Sequence, residues 1–390
     1  MVRIYIFLLI LVFPCITAFK PSVADTLQIP TPIIIDVDVD TSDTNALLYL
    51  LNSPSVTIRA ITVSCGITYI DAGVENVLRL LDYLSIEDVL VAGGRSVPLE
   101  TNHSFPIQWR QASTSFFGLS LPATDLQPSD MNASELIVSL LNESPMSIIA
   151  LGPLTNIADA LLIDPTISQK IERIDIMGGA VNVPGNIGNV YPQIPNYVAE
   201  WNFYIDPHAA DLVFTSSIQN IRLIPLDATD QVPITSDFKS KLQENLLTKE
   251  AEIANQLLIE GLYFWDELTV VAFTNPEVVT CEMYHIDIIM DQEDHEGQSV
   301  RNVSAPVNAQ VAVGADSTKF EQLFLKAINH VTTTLDTSEF STTVTSVVTT
   351  STTGSTSVHT STTGSKTNGY SIYLSILILS FIFVYRKKES

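Results

Sequence analysis

Four aspartates, Asp36, Asp38, Asp40 and Asp43, fall within eight residues directly after the apolar run Ile33, Ile34 and Ile35. Carboxylates that close repel one another, and burying them is costly unless something neutralises them. A divalent cation is the simplest compensation. No His or Cys stands among them, so the donors are all oxygen, which selects hard cations, calcium or magnesium, over zinc. An EF-hand loop opening at Asp36 would need Gly at position 41 and Glu at position 47. The chain has Thr41 and Leu47, so that loop is excluded. The alternative is a solvated acidic turn at a helix N-terminus, where carboxylates are favoured without a metal.

The elements that must position these groups are legible as runs. Residues 32–36 are apolar without alternation and read as a strand buried on both faces. Further strands are expected at 56–63, 89–92, 147–151, 174–177 and 221–225, and helices at 46–51, 73–84, 155–162 and 207–214. Strands alternating with helices imply right-handed crossovers and an α/β fold with a mostly parallel sheet flanked by helices. Ligands of such sheets sit beyond the carboxyl ends of the strands. The segments to inspect are therefore 36–43, 64–67, 151–156 and 178–202.

The ends of the 390-residue chain differ from its body. Residues 1–24 carry one Arg, a short apolar run and small residues, the pattern of a secretory signal peptide. Residues 332–369 are dominated by Ser and Thr and read as a stalk, residues 370–385 as a transmembrane helix or GPI signal, and residues 386–390 as a short basic tail. The expectation is a cell-surface protein anchored in the membrane at its C-terminus, with the body, 25–331, facing outward. Sequons at Asn102, Asn132, Asn142 and Asn302 fit an exported glycoprotein. Cys65 and Cys281 allow one bridge or two free thiols. A formal charge of −24 argues against nucleic acid as a partner.

Six stretches in order carry a resemblance: 33–51 (IIIDVDVDTSDTNALLYLL), 150–156 (ALGPLTN), 176–183 (IMGGAVNV), 196–207 (NYVAEWNFYIDP), 225–229 (PLDAT) and 263–266 (YFWD). Together they resemble the inosine-uridine-preferring nucleoside hydrolase family over about residues 32–290. The resemblance implies an open α/β sheet and a calcium-dependent cleavage of ribonucleosides to free base and ribose, here an extracellular nucleoside salvage. It implies calcium ligands at Asp38, Asp43, Asp266 and the carbonyl of Leu151, with Asp38 also the general base. Glu200 and Asn202 match the pair on the ribose hydroxyls, Asp266 also meets a ribose hydroxyl, and Asn186 or Asn196 matches the asparagine on the 5′ side. Asp36 matches a supporting carboxylate. Homodimers or homotetramers are common among relatives.

The chain departs from this pattern in places. Ser42 replaces an aspartate that contacts ribose and the attacking water, Asp40 replaces a common glycine, and Ile67 a ribose-binding asparagine. Trp265 stands where some members carry a histidine that protonates the leaving base, so stacking by Trp109, Tyr263 or Trp265 is expected instead. His103 and His208 are the other candidate acids. A catalytically weakened nucleoside-binding protein is the alternative these departures motivate. A haloacid-dehalogenase-type phosphatase with Asp36 as nucleophile is a further one, drawn from the strand that ends in Asp-x-Asp.

Overall fold

Ile33, Ile34 and Ile35 are fully buried at the centre of the sheet, in β1 (Thr31–Val37). Their uninterrupted apolar character follows from having a helical layer on each face. The computed structural model describes residues 29–330. After β1 come α1 (Thr41–Leu51), β2 (Val56–Val63), α2 (Ile70–Tyr83), β3 (Leu90–Gly93), α3 (Ile107–Thr114), α4 (Ala133–Glu143), β4 (Met146–Ala150), α5 (Thr155–Ile163) and β5 (Ile171–Met177). The chain continues through α6 (Trp201–Ile205), α7 (Pro207–Thr215), β6 (Ile221–Ile224), α8 (Leu226–Thr229), α9 (Ser236–Gln243), α10 (Lys249–Leu257) and α11 (Trp265–Thr274). It ends with β7 (Val279–Tyr284), the strand pair β8 (Ile286–Ile288) and β9 (Ser299–Arg301), then β10 (Ala309–Ala315) and α12 (Ser317–Ile328).

The main sheet has eight strands in the order β3-β2-β1-β4-β5-β6-β10-β7. Every neighbouring pair is parallel except β10 with β7, which closes one edge antiparallel. The two faces bury separate cores. Ile33, Ile35 and Val37 pack with the helices that follow β1 and with the C-terminal helices, whereas Ile34 packs with α4, α5 and α7. From β1 the chain winds outward to β2 and β3, then returns to place β4 on the other side. Strand order therefore reverses between β1 and β4, and the crevice at their carboxyl ends is where a doubly wound sheet holds its ligand. Asp36 is in register with Ala150 across this pair, and the Leu151 amide donates to the Asp36 carbonyl at 2.8 Å.

Cys65 and Cys281 are free thiols, the first buried. The segments expected to be signal peptide, stalk, span and basic tail lie outside the described residues. Among the described residues no helix is long and apolar enough to cross a membrane.

Candidate functional site

Beyond β1 the chain turns sharply. Val39 adopts φ +64°, a left-handed conformation that costs a β-branched residue about 1–3 kcal/mol. The turn takes the chain from the strand, through Asp38, to the cap of α1 at Asp40. Oδ1 of Asp40 accepts the amides of Ser42 at 2.5 Å and Asp43 at 2.9 Å, and the Asp43 carboxylate accepts the Asp40 amide at 2.8 Å. This reciprocal capping starts α1 at Thr41, earlier than the apolar run from 46 suggests. Asp38 Oδ2 accepts the Ile67 amide at 2.8 Å. That approach needs a residue without a side chain next door: a Cβ on Gly66 would lie 2.0 Å from Asp38 Oδ2.

Asp266, in the first turn of α11, completes the group from the far end of the body, and its amide donates to Ser42 Oγ at 3.0 Å. Asp40, Asp43 and Asp266 present oxygens that all lie within 4.8 Å of one another, an arrangement that could hold a metal ion. Asp38 lies beside Asp43. Burial, reinforced by neighbouring carboxylates, drives Asp43 and Asp266 well above the ordinary carboxylate range. Asp43 Oδ1 is buried with no hydrogen-bond donor. Repelling carboxylates and an orphaned oxygen are what a hard cation would relieve.

The acidic group forms the floor of a cavity that Asp38, Asp40, Leu151 and Asp266 all line. Glu200 and Asn202 line it from the start of α6. Glu200 caps α6 and accepts the amides of Asn202, Phe203 and Gly179 at 2.9–3.3 Å. Gly179, at φ +76°, supplies the turn that aims one of these donors. Burial still outweighs the three donors and lifts the Glu200 carboxyl to about 7. The Asn202 amide nitrogen ties two strand ends together, donating to the carbonyls of Leu151 at 2.7 Å and Met177 at 3.3 Å. Asn186 lines the cavity with a buried, unpartnered Oδ1, and Trp265 with a buried, unpartnered Nε1. The rest of the wall is apolar and aromatic, including Phe105, Trp109, Phe117 and Trp201. Trp109 and Trp201 meet edge to face, with ring centroids 5.4 Å apart.

Several expected site residues lie elsewhere. Ser42 does not line the cavity: its hydroxyl donates to Glu267 Oε2 at 2.7 Å while accepting the Asp266 amide. Asn196 is fully buried behind it, its amide bonded to the Glu296 carbonyl and to the amides of Val198 and Ala199. Asp36 is fully buried below the floor and held by Thr62 and Asn156, which removes it as a nucleophile. His103 stacks on Tyr204 and pairs with Glu296 at 3.0 Å, and His208 pairs with Glu100 at 3.6 Å; neither reaches the cavity. Tyr263 is not a lining residue, whereas Trp109 and Trp265 are. Asp40, counted in the acidic cluster but matched to no role, lines the cavity, and so do Phe105, Phe117 and Trp201, which the sequence did not assign to the site. Only Asp40 carried a usable signal, a fourth carboxylate in a short loop.

A family model described as inosine-uridine preferring nucleoside hydrolase matches residues 33–322. A pyrimidine-specific ribonucleoside hydrolase RihA of Shewanella sp. (strain ANA-3) is 32% identical over 315 residues, covering 76% of this chain and 96% of the relative. A probable uridine nucleosidase 1 of Oryza sativa subsp. japonica is 30% identical, over 64% of this chain and 78% of the relative. Among solved structures, a purine-preferring ribonucleoside hydrolase from Gardnerella vaginalis superimposes with a TM-score of 0.68 at 27% identity, over 77% of this chain and 98% of that one.

These matches correct the expectation of a membrane-anchored, cell-surface glycoprotein. The body alone spans nearly the whole of the Shewanella and Gardnerella enzymes, so neither carries a counterpart of an anchor. No membrane-crossing helix occurs among the described residues. The membrane partner and the anchored cell-surface location are corrected accordingly.

Proposed function

The chain belongs to the inosine-uridine preferring nucleoside hydrolase family and is a ribonucleoside hydrolase, and from that premise we propose a calcium-dependent cleavage carried out by Asp38, Asp43, Asp266 and the Leu151 carbonyl. The unit that carries it is the body, residues 25–331. One observation supports the reading above others: carboxylates from both ends of the body converge on the floor of a cavity at the point where strand order reverses.

The donors fit a hard cation, being oxygen throughout, with Asp43 Oδ1 orphaned. When bound, calcium supplies activation of the attacking water and orientation of the ribose hydroxyls. Asp38 takes the proton from that water as general base. Asp266, Glu200 and Asn202 hold the ribose hydroxyls, and Asn186 meets the 5′ side. As the N-glycosidic bond breaks, the ribose becomes oxocarbenium-like, and the carboxylates of Asp38 and Glu200 stabilise its positive charge. The aromatic wall, with Trp265 and Trp109, receives the base by stacking. No His, Lys or Arg among the described residues lines the cavity, so the base leaves against the aromatic rings with the electron pair of the broken bond and takes its proton from solvent water.

The test is a panel of purine and pyrimidine ribonucleosides scored for free ribose, with calcium and with chelator. Release that chelator abolishes is expected. Asp38→Ala should lower kcat by about 10²–10⁴-fold, the usual worth of a general base, with an unchanged circular dichroism spectrum. No ribose from any nucleoside in the presence of calcium would overturn the reading.

A further inference from the structure

We propose that Asp40 is a direct ligand of the cation, beside Asp43 and Asp266, so that this site holds its metal with one carboxylate more than the set Asp38, Asp43 and Asp266. The inference rests on the calcium reading above. Three observations carry it. The carboxylate oxygens within 4.8 Å of one another belong to Asp40, Asp43 and Asp266. Asp40 lines the cavity, whereas the neighbouring Ser42 turns its hydroxyl away to Glu267 and the Asp266 amide and brings no charge. Asp43 Oδ1, inside this group, is buried and lacks any donor, the mark of an acceptor waiting for a cation rather than a hydrogen bond.

Helix capping alone does not account for Asp40. Both capping amides bond the same oxygen, Oδ1, so capping does not use the other. Asn or Ser would cap α1 about as well, without adding a negative charge next to the buried Asp43 and Asp266. Without a cation that extra charge is a liability, and with one it tightens the site, because charge count is a main determinant of calcium affinity.

Asp40→Asn keeps the cap and the shape and removes the charge; Asp40→Ser keeps the cap and shortens the side chain. Calcium affinity of the purified full chain, measured by calorimetry with calcium chloride, should fall by about tenfold or more in both variants. Melting temperatures should cross: in chelator Asp40→Asn melts above wild type, and in millimolar calcium it loses that lead. A calcium affinity in Asp40→Asn equal to that of wild type would overturn the proposal while leaving the calcium reading intact. Wild type that takes up no calcium would overturn both. Equal melting temperatures in chelator and in calcium would reduce Asp40 to a helix cap and also overturn the proposal.

Discussion

Ser42 brings no charge to the site, yet its hydroxyl holds the two halves of the acidic group together, accepting the Asp266 amide at 3.0 Å and donating to Glu267 at 2.7 Å. Ser42→Ala leaves both partners buried without it, at about 1–3 kcal/mol of stability, and frees the first turn of α11 to shift. Chemical denaturation should show that loss, and calcium affinity should fall with it. An unchanged denaturation midpoint would show that the hydroxyl is dispensable. The residue scale is also where sequence reading reached furthest and then stopped. Asp38, Asp266, Leu151, Glu200, Asn202, Asn186 and Trp265 all line one cavity, because a strand end, a helix start and a turn leave their side chains few directions to take. Asn196 and Ser42 were indistinguishable from site residues in sequence. Their side chains are claimed by carbonyls, amides and a carboxylate up to about 225 positions away, and no local pattern records such partners.

The parallel strands of the sheet are legible because they are short, mainly apolar stretches between helix and turn signals, and β1, β2 and β4 stand where such stretches place them. The edge pair is not. Strand β7 is buried only at its two ends, with exposed or half-buried residues including Glu282 between them, and β10 is rich in Ala and Gly, so neither stands out from a loop. The start of α1 was similarly hidden, because polar residues 41–45 look like a turn until the capping interaction of Asp40 and Asp43 is seen. One cross-strand feature also has an energetic consequence. Arg222 on β6 reaches Asp175 on β5 through two nitrogens, and Arg173 pairs with the same carboxylate at 2.9 Å, all beneath α11, where Arg222 also donates to the Ala272 carbonyl at 2.9 Å. Asp175 is fully buried and Arg222 nearly so. Asp175→Ala strands a buried guanidinium, which costs about 3–5 kcal/mol. A loss of that size in the unfolding free energy from urea titration is expected, with a correspondingly lower midpoint, without a change in calcium affinity per folded molecule. A midpoint within experimental error of wild type would mean that water replaces the carboxylate at no cost.

At the scale of the whole molecule, the site sets how stability responds to pH. Burial raises Asp36 and Glu200 to about 7 and Glu267 to about 8, against ordinary values of 3.8 for aspartate and 4.5 for glutamate. A carboxyl whose pKa is higher folded than unfolded binds more protons in the folded state. Its contribution is complete below the unfolded value, near 4, and is lost as pH rises through the folded value, 7 to 8. The metal-free protein should therefore melt lower at pH 8 than at pH 5, by roughly 5 °C or more for a domain of this size. On the calcium reading proposed above, the metal would bind the deprotonated carboxylates, so binding would release protons and strengthen over the interval in which the metal-free fold weakens. The rise in melting temperature on adding millimolar calcium should accordingly be larger at pH 8 than at pH 5, and the calcium-loaded protein should show a flatter profile. Scanning fluorimetry from pH 5 to 8, with calcium and with chelator, measures both curves. A metal-free melting temperature that climbs with pH would mean that the buried carboxyls are already ionised and stabilised by the protein alone, which would remove the electrostatic reason for a cation in the cavity.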